Sequence, residues 1–213
     1  MLYIKQFTFS PIQENTYVVY NDAKQAAIID PGCYTDAEKE TLVNYVADNR
    51  LSVHYLLNTH CHLDHVFGNK HIAKTYNVPL HLHPNEEVVL QYAPTSGLNW
   101  GMPFDNYTGK LIFITEKDSI TLGTDVLQIL STPGHSPGSI SFYASQDGFV
   151  ISGDALFAGS IGRTDLPGGN QPQLLKSIHT QLFTLPPSTK VYSGHGATTS
   201  IGHEAATNPF FKN

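Results

Sequence analysis

The spacing of apolar and polar residues predicts strands and helices along most of the chain. Short runs rich in β-branched and aromatic residues, bounded by turn-forming residues, are typical of β-strands. In the first half we expect strands at residues 2–9, 16–20, 26–29, 53–58 and 78–81. In the second half we expect strands at residues 119–122, 126–130, 139–143, 149–152 and 190–193.

Segments with an apolar stripe at helical spacing lie between these strands. Leu42, Val43 and Val46 give residues 36–49 such a stripe, and acidic residues stand early in it, where the helix dipole favours them. Further helices are expected at residues 63–76, 84–92 and 171–183. Prolines and glycines interrupt the pattern at residues 93–110, which predicts a long packed loop. This arrangement indicates two sheets covered by helices in one α/β domain.

Composition and charge narrow the class of protein. The 213 residues are 40% hydrophobic and 14% charged, with a formal net charge of −6, which is typical of a folded chain with a sizeable core. Lysines and arginines form no run, so we expect neither nucleic acid nor a membrane surface as a partner. No apolar stretch approaches the roughly 18 residues of a membrane-spanning helix. Because the first ten residues lack a signal-peptide pattern, we expect a cytoplasmic protein; its oligomeric state stays open.

A dense group of metal-ligand types follows the strand at residues 53–58. His60, His62, Asp64 and His65 lie within six residues of one another. Two histidines that are two positions apart leave an extended chain on the same face. Asp64 and His65 fall in the first turn of the expected helix. This corner between strand and helix can therefore hold two metal ions, one at the histidine pair and one at the Asp-His pair.

Three further candidates each follow a predicted strand and stand beside a glycine. They are His135, Asp154 and His195. Any one of them alone is best interpreted as a turn residue, but three in the same context indicate one shared site. Two metal ions that share seven ligands each keep an open position, as a catalytic site requires. Imidazole and carboxylate ligands suit zinc, iron or manganese, and zinc is the expected metal.

The segment HCHLDH, followed by strand-end ligands in the order His, Asp, His, resembles the metallo-β-lactamase superfamily. The stretch GRTD at residues 162–165, with GHG at 194–196 and NPF at 208–210, resembles the short, single-domain bacterial members of its glyoxalase II-like branch. The resemblance implies an αββα sandwich with the metals at one rim. It implies one domain over residues 1–213, without the C-terminal helical domain that holds glutathione in longer members.

The resemblance also implies a role for each ligand. His60, His62 and His135 resemble the ligands of the first metal. Asp64, His65 and His195 resemble those of the second metal. Asp154 occupies the position of the bridging carboxylate.

The implied reaction is hydrolysis of a small acyl-thioester of the hydroxyacylglutathione type, in the setting of methylglyoxal detoxification. A metal-bridging hydroxide is the expected nucleophile, with Asp64 and Asp154 as the catalytic carboxylates. A thiolate leaves with little help from a general acid, so a thioester is a natural substrate. A β-lactamase is less expected, because it is normally exported.

Several interpretations stay open. Asp30 is either a partner of a ligand imidazole or a turn residue. Arg163 either contacts a carboxylate of the thiol carrier or pairs with Asp165. The alternative function is a persulfide dioxygenase with one Fe(II) held by His60, His135 and Asp154.

Overall fold

Two six-stranded β-sheets form the centre of the computed structural model, which describes residues 1–212. The first sheet has the strand order β1-β2-β3-β4-β5-β6. Its first three strands form an antiparallel meander, and the remaining pairs are parallel. The strands are β1 (Leu2–Phe9), β2 (Glu14–Asn21), β3 (Gln25–Ile29), β4 (Ser52–Leu57), β5 (Leu80–Leu82) and β6 (Leu111–Phe113).

The second sheet has the order β14-β13-β10-β9-β8-β7 and is antiparallel except between β10 and β13. A small hairpin, β11-β12, lies beside it. The strands are β7 (Ser119–Leu122), β8 (Asp125–Ser131), β9 (Ile140–Ala144), β10 (Phe149–Gly153), β11 (Leu156–Phe157), β12 (Ser160–Ile161), β13 (Lys190–Ser193) and β14 (Thr199–Ser200). The sequence predicted neither the short β6, β11, β12 and β14 nor the last helix.

Helices cover the outer face of each sheet. On the first sheet they are α1 (Asp36–Asp48), α2 (Leu63–Val66), α3 (Asn69–Tyr76) and α4 (Glu87–Asn99). On the second sheet they are α5 (Gln171–Ser177), which continues as a π-helix at Ile178–Leu182, and α6 (Ile201–Thr207). None of the described helices has the length and apolar character needed to cross a bilayer.

Three apolar cores separate the four layers. The central core lies between the sheets, where Val19 and Ile29 of the first sheet pack with Leu127 and Phe142 of the second. The other two cores lie between each sheet and its helices. The layers therefore form an αββα sandwich of two mixed sheets, and the predicted fold class is confirmed.

The predicted helix at residues 63–76 is two helices. The chain breaks at Gly68, whose N–H donates to Pro31 O at 2.7 Å. A Cβ at Gly68 would collide with Cys33 Sγ, so the loop before α1 presses against the backbone at this point. The short α2 that results carries Asp64 and His65 separately from the longer α3.

The predicted loop at residues 93–110 is wrong over its first seven residues, because α4 continues through Pro94 to Asn99. A proline inside a helix leaves the carbonyl four residues earlier without its donor. Here that carbonyl is Leu90 O, and Asn106 Nδ2 donates to it at 2.7 Å. A side chain from the following loop thus replaces the hydrogen bond that the proline removes, and the helix does not end.

Candidate metal centre

The ends of four strands bring the seven sequence-predicted ligands to one rim of the sandwich. His60, His62, Asp64 and His65 follow β4, and the other three follow β8, β10 and β13. The first sheet thus supplies one side of the site and the second sheet the other.

Glycines stand in the backbone turns that position these ligands. They occur where another residue approaches the turn too closely for a side chain to fit. Gly153 has φ +50°, and a Cβ there would collide with Thr59. A Cβ at Gly194 would collide with Asp154 Oδ1. Glycine therefore lets two strand ends approach the site within van der Waals distance.

Three imidazole nitrogens meet at the first group of ligands. His62 Nδ1 lies 2.8 Å from His135 Nε2, and His135 Nε2 lies 3.2 Å from His60 Nε2. Two nitrogens bound to one tetrahedral zinc ion at about 2.05 Å stand about 3.3 Å apart. The spacing of the three nitrogens is therefore close to that of a shared ion.

The second group consists of Asp64, His65 and His195. Asp64 Oδ2 lies 3.1 Å from His195 Nε2 and 3.9 Å from His65 Nε2. These atoms fall within 4.8 Å of one another, as do those of the first group. The two groups correspond to the two ligand sets predicted from the sequence.

Asp154 stands between the two groups. Its Oδ1 lies 3.4 Å from His65 Nε2, and its Oδ2 lies 3.4 Å from His135 Nε2. Oδ2 also lies 3.7 Å from His195 Nε2 of the second group, so this oxygen borders both groups. A carboxylate that stands between the two groups in this way is positioned to bridge two metal ions.

The chemistry of these donors fits cations. His65 Nε2 and Asp154 Oδ1 are buried, and no described residue forms a hydrogen bond with either atom. Asp64 and Asp154 are carboxylates in a buried site, and within residues 1–212 neither forms an ion pair with a lysine or arginine. A buried anion is costly unless a cation or several donors compensate for it. Two divalent ions at this rim would satisfy both requirements.

The protonation states agree with this interpretation for most ligands. Burial lowers the pKa of His60, and burial together with His135 lowers the pKa of His62 to about 3. Burial opposes the ionisation of Asp154, but the imidazoles of His65, His135 and His60 together outweigh it and hold the pKa of Asp154 well below its usual range. Neutral imidazoles and an ionised carboxylate are the forms that bind metals.

His65 and His195 are the exceptions in the metal-free chain. Burial lowers the pKa of His195, but its contact with Asp64 and the charge of Asp154 outweigh burial and raise that pKa above its usual value. Burial lowers the pKa of His65, but the carboxylates of Asp154, Asp64 and Asp30 together raise it well above its usual value. A metal ion at the second group must therefore displace a proton from His65.

Backbone carbonyls fix the orientation of two ligands. His135 Nδ1 lies 2.7 Å from Arg163 O, and His195 Nδ1 lies 3.2 Å from Gln13 O. A carbonyl only accepts, so each Nδ1 carries the hydrogen and each Nε2 is free to bind a metal.

Asp30 contacts the backbone and side chains of the ligand segment that follows β4. It adopts φ +50° at the end of β3, and its carboxylate accepts from Thr59 N at 2.7 Å and Thr59 Oγ1 at 2.6 Å. Its Oδ2 also lies 3.1 Å from His65 Nδ1. Thr59 Oγ1 in turn lies 3.1 Å from His60 Nδ1. The structure therefore places Asp30 against a ligand imidazole, which is the first of its two predicted interpretations.

Arg163 makes the pairing that was its second interpretation. Its Nε and one terminal nitrogen donate to the two oxygens of Asp165, each at 2.7 Å. The pair is exposed, and Arg163 also borders the cleft above the ligands. The guanidinium is therefore near the site but already bound to a carboxylate.

Two buried glutamates beside the ligands escaped the sequence analysis. Glu86 accepts hydrogen bonds from Cys61 N at 2.8 Å, from Ser136 Oγ at 2.6 Å and from Gly138 N at 2.6 Å. Glu14 Oε1 lies 3.8 Å from His65 Nδ1. No local motif marks either residue, because the ligand segments that they face are far away in sequence.

A cleft of about 360 Å³ opens above the ligands. Asp64, Asp154, His62, His135 and His195 lie at its floor. Its walls carry the apolar side chains of Ile12, Leu63, Trp100, Phe157, Ile161 and Leu166. The metal ligands are thus accessible to a small molecule.

Comparisons with known proteins agree with this geometry. The family model described as the metallo-beta-lactamase superfamily matches residues 10–195. A protein of Bacillus subtilis named probable metallo-hydrolase YqgX is 39% identical over 207 residues, which cover 97% of this chain and 96% of that protein. The hydroxyacylglutathione hydrolase GloC of Haemophilus influenzae is 34% identical over 200 residues, covering 93% of this chain and 92% of its own.

Two solved structures are similar over nearly the whole chain. The B3 metallo-beta-lactamase BLEG-1 has a TM-score of 0.90 at 41% identity, covering 99% of this chain and 100% of its own. TTHA1623, solved in a di-iron-bound form, has a TM-score of 0.87 at 36% identity, covering 97% of this chain and 99% of its own.

Proposed function

The chain belongs to the metallo-beta-lactamase superfamily, and from that premise we propose that it hydrolyses small acyl-thioesters of the hydroxyacylglutathione type at two divalent metal ions. The observation that carries the proposal is the convergence of two ligand groups on the carboxylate of Asp154. Zinc is the proposed metal. The proposed setting is the cytoplasm, where such an enzyme would remove thioesters formed during methylglyoxal detoxification.

The chain's own residues define the geometry of the reaction. His60, His62 and His135 would hold one ion, and Asp64, His65 and His195 would hold the other. Together the ions would lower the pKa of a water toward about 7 and polarise the thioester carbonyl. Asp64 Oδ2 lies at the floor of the cleft, within 3.1 Å of His195, where it can orient the attacking oxygen.

Two considerations support a thioester as substrate. GloC, named a hydroxyacylglutathione hydrolase, is similar along nearly its full length. A thiolate is also a good leaving group, because the pKa of a thiol is near 8.5, so it departs without a proton donor. A β-lactam is the competing substrate, since BLEG-1 is named a metallo-beta-lactamase. An amide nitrogen needs a proton in order to leave.

A persulfide dioxygenase is the second candidate. His135 Nε2 lies 3.2 Å from His60 Nε2 and 3.4 Å from Asp154 Oδ2. Two histidines and one carboxylate on one side of an ion are the ligand set of many non-haem iron oxygenases. The di-iron form of TTHA1623 shows that a similar chain holds iron.

Metal analysis combined with a substrate panel tests these alternatives. Protein purified without chelators is analysed for zinc, iron and manganese and then assayed with S-lactoylglutathione, with a β-lactam, and with a glutathione persulfide under oxygen monitoring. We expect close to two equivalents of metal and thioester turnover. One equivalent of iron with oxygen uptake would favour the dioxygenase, and faster β-lactam turnover would overturn the thioester proposal.

A histidine pair provides the matched control. His135→Ala removes a first-group ligand and is expected to abolish turnover and lower the metal content. His54→Ala removes an exposed histidine outside the site and is expected to change neither. Full activity in the His135 variant would contradict the assigned ligand set.

A further inference from the structure

A second cavity continues from the cleft above the metal ligands. It has a volume of about 490 Å³, and His62, Ser96 and Leu166 border both spaces. A molecule whose reacting carbon lies over the ligands can therefore extend into this second space. We call it the apolar arm.

The walls of the apolar arm are uncharged. Val88, Val89 and Tyr92 project from one face of α4, and Pro137 and Pro167 stand opposite. Within residues 1–212, no lysine, arginine, aspartate or glutamate lines this cavity. Such a wall favours an apolar group over a charged one.

Two of these large apolar side chains are exposed to solvent. Val88 is 64% exposed and Tyr92 is 51% exposed, one helical turn apart on α4. Both face a cavity that leads to the metal ligands. A ligand chain in the arm would cover them and remove apolar surface from water.

A cation borders the main cleft rather than the apolar arm. Arg163 is the one lysine or arginine among the described residues that border the main cleft, and it stands there with Ser160. Arg163 is already paired with Asp165, but thiol carriers such as glutathione bear carboxylates, and in the uncharged arm these would lose their hydration without a compensating cation. The arm is then left for the acyl half of the thioester.

We propose that the apolar arm binds the acyl group of the substrate, so that thioesters with aliphatic or aromatic acyl chains are better substrates than the lactoyl thioester. This inference rests on the proposed thioesterase function. Full burial of a methylene changes a binding constant by about fourfold, and half burial by about twofold. In an arm that is partly open, we expect kcat/KM to rise about twofold per methylene.

A series of glutathione thioesters tests the proposal with the metal-loaded protein. Acetyl, butyryl, hexanoyl, octanoyl and lactoyl glutathione are compared by kcat/KM. The octanoyl thioester is expected to exceed the acetyl thioester by on the order of 50-fold. A flat or falling series would overturn the proposal while leaving the thioesterase function intact.

Paired variants on α4 locate the effect. Val88→Ser is expected to lower the ratio of octanoyl to acetyl kcat/KM by about fivefold, because it removes part of the wall. Leu98→Ser changes a residue that is 68% exposed and does not line the arm, so it is expected to leave the ratio unchanged. Equal effects of the two variants would contradict the assignment.

Binding of the acid products separates this inference from the proposed function. Octanoate is expected to bind the metal-loaded protein at least about tenfold more tightly than acetate, and Val88→Ser to reduce that difference. This holds whether or not thioesters are hydrolysed. If no thioester is turned over, the proposed function is wrong. If octanoate binds no better than acetate, the apolar arm does not bind the acyl group.

Discussion

Replacing Glu86 by glutamine should weaken the first metal site more than it weakens the fold. Glu86 lies in the turn before α4, and its buried carboxylate joins the two loops that carry His60, His62 and His135. Oε2 accepts from Cys61 N, between two of these histidines. Oε1 accepts from Ser136 Oγ and Gly138 N, directly after the third.

The geometry sets the size of the effect. A glutamine keeps one acceptor oxygen, so its NH₂ group faces a donor in either orientation. The loss of one hydrogen bond to a charged group costs about 1.5–3 kcal/mol, and an unpaired buried N–H costs about 1–3 kcal/mol more. Burial raises the pKa of Glu86, so a neutral amide avoids part of the cost of a buried charge. The net loss in unfolding free energy is about 2 kcal/mol.

Metal affinity distinguishes positioning from simple support of the fold. Removal of a group that orients metal ligands typically lowers affinity by about 10–100-fold. We expect a loss of this size at the first site, measured by zinc titration against a competing chelator. His62→Ala and His195→Ala, which each remove one ligand from one group, assign the two binding steps.

Glu87→Gln is the matched control, because it makes the same chemical change at the neighbouring residue, for which no hydrogen bond to a ligand loop is seen in residues 1–212. It is expected to change neither zinc affinity nor the urea unfolding midpoint. If Glu86→Gln lowers stability by about 2 kcal/mol but keeps first-site zinc affinity within about twofold, the reasoning fails. Glu86 would then support the fold alone.

Three further predictions concern α4, the metal-free protein and the second metal site. Asn106→Ala should lower the free energy of unfolding in urea by about 1–2 kcal/mol, because Leu90 O loses its donor. Adding Pro94→Ala restores a backbone N–H and should recover part of this lost stability. If the double variant recovers none, the account of α4 is wrong. Removing metal with a chelator should lower the thermal midpoint by on the order of 10 °C in calorimetry, since metal at about a thousand times its Kd stabilises the fold by about 4 kcal/mol. The metal-free chain raises the pKa of His65 and of His195, and a protonated imidazole cannot bind a metal ion. Second-site zinc affinity should therefore fall at least about tenfold per pH unit below these pKa values, and calorimetry in buffers of different ionisation enthalpy should detect the released protons.

The strand ends were predictable because their signals are local. An apolar run that stops at a glycine and a metal-ligand type can be recognised within seven residues, as at His135 and Asp154. The layer architecture followed from the grouping of such runs and from the resemblance that the motif carries. The corner at residues 60–65 likewise shows its spacing directly in the sequence.

What the sequence did not show depends on partners far along the chain. Pro94 indicates a helix end by itself, and only Asn106, twelve residues later, reverses that expectation by donating to Leu90 O. Glu86 looks like a solvent-exposed helix-start residue until the fold brings Cys61 and Gly138 to its carboxylate. The candidate metal ligands are therefore visible in a single sequence, whereas the side chains that hold the ligand loops together are defined by tertiary contacts. This difference is why Glu86, rather than another ligand, is the more informative residue to change.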